Sequence, residues 1–142
     1  MRLLLDTCVV AELRRSQPAP QVVAALAARA DEDLYLSVLT IGEIAKGMAL
    51  LPDGAKRRGL EAWMAGLQKQ FSERLVGIDS ETAEIWGAAT ACASQRGVVL
   101  PAIDGLIAAQ AIRHGLAVAT RNTRHFVEAG ALVWNPWGEL AG

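Results

Sequence analysis

Five short apolar runs of strand length alternate with longer segments of helical periodicity, and this alternation restricts the fold of the chain more than any other feature. The runs read RLLLD, LYLSV, LVGID, LAVAT and LVW and begin at residues 2, 34, 75, 116 and 132. Strands separated by helices pair in parallel, with helices covering both faces of the sheet. The sequence therefore predicts an α/β fold with a short, mostly parallel sheet of about five strands flanked by about seven helices.

The predicted helices cover 8–14, 20–29, 40–50, 55–71, 81–96, 101–114 and 123–129. Within 55–71, one apolar stripe with helical spacing is formed by Leu60, Trp63, Met64, Leu67 and Phe71. The stripe is wide for a small domain. It therefore predicts either a core face or, together with helix 40–50, the surface of a homodimer or partner complex.

Composition and length narrow the class of protein. With 142 residues, 52% of them hydrophobic, the chain can build one core, so residues 1–142 are predicted to form a single domain. The net charge of −1 gives no global attraction to nucleic acid or membrane. No run approaches the roughly 20 apolar residues of a membrane span, which predicts a cytoplasmic protein. Cys8 and Cys92 lack zinc-site or disulfide spacing and are expected to be reduced and partly buried.

Polar residues end four of the apolar runs, which is where open parallel sheets bind ligands. Asp6, Ser37 and Asp79 end the first three, and residues 120–122 follow the fourth. Each position has an alternative role as a helix cap or as a partner of the helix dipole. For Asp79 the cap is favoured, because Ser80 begins a helix that is acidic in its first turn.

Glu43 has two interpretations. Thr40 to Glu43 matches the S/T-x-x-E capping box, in which the Glu side chain reaches back to the first turn of its helix. However, Gly42 and Gly47 flank Glu43, and each costs about 1 kcal/mol of helix stability relative to Ala. They leave bare backbone beside the carboxylate, which favours a functional role.

Asp104 lies in LPAIDGLIAAQAI, a segment that is apolar on almost every side. A buried carboxylate costs several kcal/mol unless its charge is compensated, so Asp104 requires a cation. The cation is either a His, Lys or Arg from elsewhere in the chain, or a divalent metal shared with Asp6 and Glu43. A ligand set of hard oxygens suits Mg²⁺ or Mn²⁺ rather than zinc.

Five segments together resemble the PIN-domain ribonuclease toxins of the VapC type, closest to the FitB-like branch. They read LLLDTCVVAEL, LSVLTIGEIAKGMALL, AIDGLIAAQAIRHG, VATRNTRHF and WNPW, and they span the chain in the family's order. The resemblance implies a three-layer sandwich and Mg²⁺-dependent cleavage of RNA. It also implies a type II toxin–antitoxin pair, with a homodimeric toxin and a VapB-like antitoxin whose C-terminal tail lies across the acidic groove. A complex of the pair on operator DNA is part of the same expectation.

The resemblance also assigns roles to single residues. Asp6, Glu43 and Asp104 stand where the family has its metal ligands, and Asn122 stands where many members have a fourth acid. Thr7 and Thr120 stand at supporting positions. Two departures matter: Cys8 replaces the usual Asn or Ser of the first motif, which leaves its role open and suggests packing, and the amide of Asn122 is neutral.

Clustered carboxylates that bind a hard cation suit hydrolysis of a phosphodiester by an activated water, without a protein nucleophile. Candidate contacts to the RNA phosphates are Arg121, Arg124 and Lys46, with Arg14 and Arg15 as further basic residues.

Three alternatives remain. In a phosphatase of the HAD type Asp6 would be the nucleophile, although Cys8 occupies the place of its second Asp. In a thiol enzyme Cys8 would be the nucleophile, with His114 or His125 as the base. In a non-catalytic interaction module the acidic groove would only bind a basic peptide.

Overall fold

A computed structural model describes residues 1–138. The strands are β1 (Leu3–Leu5), β2 (Leu34–Ser37), β3 (Leu75–Val76), β4 (Ala117–Ala119) and β5 (Val133–Trp134). The helices are α1 (Thr7–Arg14), α2 (Pro20–Ala27), α3 (Val38–Ala49), α4 (Ala55–Gln70), α5 (Ser80–Gln95), α6 (Ala102–His114) and α7 (Thr123–Glu128), with a short 3₁₀ helix at Asp31–Asp33.

All five strands are parallel and lie in the order β3-β2-β1-β4-β5. The central strand β1 shows why the fold has three layers: Leu3 and Leu5 pack into one core, and Leu4 packs into another. Successive strand residues face opposite sides of a sheet, so the two cores cover its two faces. The first core includes residues of α1 to α4, and the second includes residues of α5 to α7. The predicted α/β sandwich is confirmed.

The apolar stripe of α4 belongs mainly to the first core. Leu67 and Phe71 are buried there, and Leu60, Trp63 and Met64 pack against the same cluster. The stripe is therefore largely a core face, and it gives no support to the predicted partner surface on this helix.

Two of the differences between the predicted and the observed boundaries have a clear structural cause. Helix α3 begins at Val38, two residues early, because the Ser37 Oγ accepts a hydrogen bond from the Leu39 amide at 3.0 Å and caps the helix. Strand β3 ends at Val76, well before Asp79, because the side-chain amide of Gln110 donates to the carbonyls of Val76 (3.0 Å) and Gly77 (3.1 Å).

Asp79 caps α5 as predicted, since its Oδ1 accepts from the Thr82 amide at 2.8 Å. Hydrogen bonds from the backbone and side chain of Thr82 hold the pKa of Asp79 below its usual range.

Cys92 is exposed, contrary to the expected partial burial, because it lies on a solvent-facing side of α5. No helix among residues 1–138 is long and apolar enough to cross a membrane.

Candidate active site

The site lies where the chain order of the sheet reverses. From β1 the chain continues to β2 and β3 on one side, and it later returns to place β4 and β5 on the other. Open α/β sheets bind ligands beyond the carboxyl ends of the strands at such a switch point. Asp6 directly follows β1 and Thr120 directly follows β4, and the amide of Asp6 donates to the Ala119 carbonyl at 3.0 Å. The topology alone therefore brings Asp6 and Thr120 together.

Asp6 is buried and rigidly held. Its Oδ1 accepts from the Thr7 amide at 2.9 Å, and its Oδ2 accepts from the Thr120 hydroxyl at 2.8 Å. Asp6 is also the N-cap of α1. The two roles that the sequence offered for it, helix cap and site residue, are therefore compatible. The Cys8 Sγ, 3.5 Å from the same Oδ2, is a weak third donor. Since these donors compensate only part of a full charge, the carboxylate keeps capacity for a cation.

Glu43 is held by Thr7. The Thr7 Oγ1 donates to the Glu43 Oε1 at 2.6 Å and lies 3.1 Å from the buried Thr40 Oγ1. The capping-box interpretation of Thr40 and Glu43 is wrong, because α3 begins at Val38 and the Glu43 carboxylate reaches across to α1 instead. Thr7 thus contacts Asp6 with its amide and Glu43 with its hydroxyl.

Asp104 lies in the first turn of α6 and is half-buried. Burial raises the pKa of Asp104, and the charges of Asp6 and Glu43 raise it further, while His125 opposes them. Charges act on one another strongly only at short range, so Asp104 lies close enough to Asp6 and Glu43 for their charges to disfavour its ionised form. We call Asp6, Glu43 and Asp104 the acidic triad.

The donor chemistry of the acidic triad fits a hard divalent cation. Among residues 1–138, no Lys, Arg or His forms a salt bridge with any of the three carboxylates. Of the two sources of compensation left open by the sequence, the shared metal is therefore the one these contacts favour. In the same part of the chain, no three acidic, His or Cys side chains are arranged to hold a metal ion as they stand. Exposed Glu43, a long side chain held by one hydroxyl, is the member that can adjust.

The predicted substrate contacts, Arg121, Arg124 and Lys46, divide between two cavities. An open cavity of about 410 Å³ contains Asp104, Arg121, Asn122 and Arg124, with Thr123 and His125 completing its lining. Asn122 is exposed, and its amide N–H donates to the Thr120 Oγ1 at 3.0 Å. Thr120 therefore links Asp6 to the segment that borders this cavity.

Lys46 lies in a different cavity of about 490 Å³ along α3. The lining, which is largely apolar, consists of Val38, Leu39, Gly42, Glu43, Lys46, Gly47, Leu50 and Ile103. A Cβ added at Gly42 or Gly47 would have no atom within 4 Å, so the backbone beside Glu43 is open, as the sequence indicated.

Cys8 does not suit a thiol nucleophile. Burial raises the pKa of the Cys8 thiol, and the charge of Asp6 adds to this, so the proton stays on sulfur. The Sγ lies 3.5 Å from the Asp6 Oδ2 and 3.6 Å from the Thr120 Oγ1. His114 cannot serve as its base, because its carbonyl is bound by Arg2 at the opposite end of the sheet.

Besides the contact of Cys8 with Asp6, sequence reasoning missed two contacts of the site. Thr40 supports Thr7, and its only signal was its helical spacing from Glu43. Trp137 lies under the Arg121 guanidinium, 5.2 Å from ring centroid to Cζ, and the WNPW segment gave no hint of this partner.

Comparisons with known proteins show similarity over almost the whole chain. Residues 3–132 match the family model of the PIN domain. The chain is 40% identical to the toxin FitB of Neisseria gonorrhoeae, covering 95% of this chain and 98% of the toxin. It is 35% identical to a VapC ribonuclease of Sinorhizobium fredii, covering 95% and 97%. A chain in the structure of FitAB bound to a DNA fragment superposes with a TM-score of 0.90 at 38% identity, covering 98% of both chains.

Proposed function

The chain belongs to the PIN-domain family, and on that premise we propose that it is a divalent-metal-dependent endoribonuclease, the toxin of a type II toxin–antitoxin pair. The observation that carries this proposal is the acidic triad at the switch point of the sheet. The charges of Asp6 and Glu43 raise the pKa of Asp104, and within the described residues none of the three carboxylates forms a salt bridge with a Lys, Arg or His. Keeping like charges together costs stability, so the arrangement implies a cation that serves the chemistry.

Asp6, Glu43 and Asp104 would hold the cation, with Mg²⁺ preferred and Mn²⁺ as the substitute. When bound, such a cation polarises a phosphodiester and lowers the pKa of water towards neutrality. The protein side chains orient the groups that would bind the cation. Thr7 and Thr120 fix the carboxylate oxygens of Asp6 and Glu43.

The neighbouring side chains would position the RNA. Asn122 adds a neutral amide at the fourth position, beside the acidic triad. Arg121, Arg124 and Lys46 offer positive charge to the RNA phosphates on two sides of the triad. An RNA substrate implies action in the cytoplasm.

We further propose a VapB-like antitoxin as the partner and a homodimer as the working form. The structural neighbour FitAB is a complex bound to DNA. By extension, the pair formed by this chain and its antitoxin would bind operator DNA, with the DNA contacts supplied by the antitoxin, because this chain has a net charge of only −1.

A second candidate function is a non-catalytic module that binds a basic peptide. It is favoured by one observation, that no three potential ligands among residues 1–138 are arranged to hold a metal as they stand. It differs from the enzyme in one measurable consequence, since binding without cleavage would not depend on the metal.

The test is cleavage of a single-stranded RNA pool by the purified protein in EDTA and after titration with Mg²⁺ or Mn²⁺. We expect cleavage only with metal and none by Asp6→Asn. The matched control is Asp79→Asn, which removes one carboxylate from a helix cap outside the acidic triad and keeps a residue that caps well. Equal activity of wild type and Asp6→Asn, or activity in EDTA, would contradict the proposal.

A further inference from the structure

The polar cavity beside Asp104 has a composition unlike that of the α3 cavity. Its lining contains two arginines, one carboxamide, a hydroxyl and an imidazole around a single carboxylate. It shares that carboxylate, Asp104, with the acidic triad. Whatever fills the cavity therefore lies directly beside one of the proposed metal ligands.

Asn122 has hydrogen-bonding capacity in this cavity that the fold does not use. It occupies the position before α7, but its side chain makes no capping hydrogen bond; within residues 1–138 only its backbone N–H is engaged, and it donates to the Thr120 Oγ1 at 3.0 Å. A carboxamide carries donors and an acceptor side by side, the pattern that pairs with the edge of a nucleobase.

The two arginines of the cavity are held differently. The Arg121 guanidinium stacks on the Trp137 ring at 5.2 Å and forms no salt bridge within residues 1–138. The Arg124 Nε donates to the Glu128 Oε1 at 3.1 Å, so this guanidinium already has a carboxylate partner. Arg121 is thus oriented without being neutralised, which suits it to bind a phosphate.

We propose that this cavity binds one nucleotide of single-stranded RNA next to the scissile phosphate, with Arg121 holding a flanking phosphate and Asn122 recognising the base. The inference rests on the proposed function and adds the residues that set its sequence preference. A volume of about 410 Å³ lies at the lower end of ordinary ligand pockets, which suits one nucleotide rather than a folded RNA element.

The two contacts have separable signatures. Phosphate contacts supply affinity that falls with salt but carry no sequence information, whereas base contacts supply preference. Loss of Arg121 should therefore change binding uniformly across sequences, and loss of Asn122 should change which sequences are cut.

Binding is measured with every variant in the Asp6→Asn background, so that a fluorescent single-stranded RNA stays intact in Mg²⁺. We expect Arg121→Ala to weaken binding about 10-fold and to reduce the salt slope by about 0.7, the value for one phosphate of a single strand. Arg124→Ala should weaken binding about 2-fold, since Glu128 already compensates that charge. Arg58→Ala, an equal charge change on the exposed face of α4, is the matched control and should have no effect.

Base preference is read by sequencing the products of a randomised RNA pool cut by variants that retain Asp6. Asn122→Ala should flatten the preference at one position beside the cut by about 5-fold or more, the lower end of what a bidentate base contact gives. Arg121→Ala should leave that profile unchanged.

The outcomes separate this inference from the proposed function. If the wild-type protein cleaves RNA but Asn122→Ala keeps the same profile, or Arg121→Ala keeps the same affinity and salt slope, the nucleotide site is wrong and the ribonuclease stands. If the wild-type protein cleaves no RNA, the proposed ribonuclease function is wrong. If, in addition, Arg121→Ala does not change RNA binding, the nucleotide site is wrong as well. If Arg121→Ala loses binding to a protein partner and not to RNA, the cavity is a protein site and the inference is overturned.

Discussion

Two polar clusters lie at the same edge of the sheet and are built in opposite ways. One, which we call the amide cluster, consists of Ser37, Gln110 and the carbonyls of Val76 and Gly77. The Gln110 Nε2 donates to both carbonyls, and its Oε1 accepts from the Ser37 Oγ at 2.6 Å. Ser37 in turn accepts from the first turn of α3. In this neutral cluster nearly every donor and acceptor has a partner, whereas the acidic triad gathers three like charges.

The difference shows how the fold offsets the electrostatic repulsion within a reactive site. A fully satisfied buried network fixes one arrangement of the elements that it joins, whereas clustered carboxylates store repulsion. The two clusters share elements: Gln110 and Asp104 lie on α6, and Ser37 caps the helix that carries Glu43. The amide cluster therefore holds in register two of the helices whose carboxylates repel.

The largest effect is expected from a substitution in the acidic triad. Asp104→Asn removes one of the three carboxylates that we propose as metal ligands, and with it about 4 kcal/mol of transition-state stabilisation, so we expect RNA cleavage to fall by about 10³-fold. The measurement is the single-turnover rate at saturating Mg²⁺.

The same variant should not be less stable in EDTA. Burial and the charges of Asp6 and Glu43 raise the pKa of Asp104, so its ionised form is disfavoured in the folded state. This penalty applies above the folded pKa and disappears as pH falls below 3.8, the ordinary value for Asp. Asp104→Asn should therefore have a Tm equal to or above that of wild type at pH 7, and the difference should shrink towards pH 4. A lower Tm at pH 7 would show that Asp104 stabilises the apo fold.

The next largest effect is expected from a substitution in the amide cluster. Gln110→Ala opens a cavity and leaves the Ser37 hydroxyl and two carbonyls without their partner, which should lower the free energy of unfolding by about 3 kcal/mol. Urea denaturation of both variants measures the contrast, since Asp104→Asn should lose activity and keep stability. If Gln110→Ala unfolds at the same urea concentration as wild type, the amide cluster does not hold the helices.

A smaller effect tests the hydroxyl that links the site to β4. Thr120→Val removes the donor to the Asp6 Oδ2 and the acceptor for the Asn122 amide. Loss of such an outer-shell partner typically costs 10- to 100-fold in metal affinity, so the Mg²⁺ concentration for half-maximal cleavage should rise by roughly that factor. The control is Thr90→Val, because the buried Thr90 hydroxyl has no partner within residues 1–138 and its loss should be neutral. Equal metal dependence of both variants would remove Thr120 from the site.

Much of the fold followed from local patterns. Most helix boundaries agree with the sequence prediction to within about two residues, because periodicity and caps are properties of neighbouring residues. Strand β3 was predicted too long, since the end of an edge strand depends on a distant group. Here that group is Gln110, 34 residues from Val76 in sequence.

In the site, likewise, some features could be predicted from local sequence and others could not. Asp6 and Asp104 were recognisable because each interrupts an apolar pattern, and Glu43 because glycines flank it. The contacts of Thr40 with Thr7, of Cys8 with Asp6 and of Arg121 with Trp137 were not predictable. The first joins residues 33 positions apart, and each depends on side-chain directions that only the folded chain defines.

The smallest expected effect concerns Asn122, where the acidic side of the comparison carries an amide in place of a fourth charge. A unit charge about 4 Å away is worth about 4 kcal/mol at an effective dielectric near 20. Asn122 is exposed, so solvent screening reduces the gain from Asn122→Asp to about 1 kcal/mol, or about 5-fold in metal affinity. Asn122→Asp should therefore lower the Mg²⁺ concentration for half-maximal cleavage by about this factor. Asn122→Ala should reduce cleavage only modestly beside Asp6→Ala, because it removes no charge. A Mg²⁺ titration of the three variants on one RNA decides the ranking. If Asn122→Ala is as inactive as Asp6→Ala, the amide is indispensable, and charge is not what distinguishes the acidic triad from its neutral neighbour.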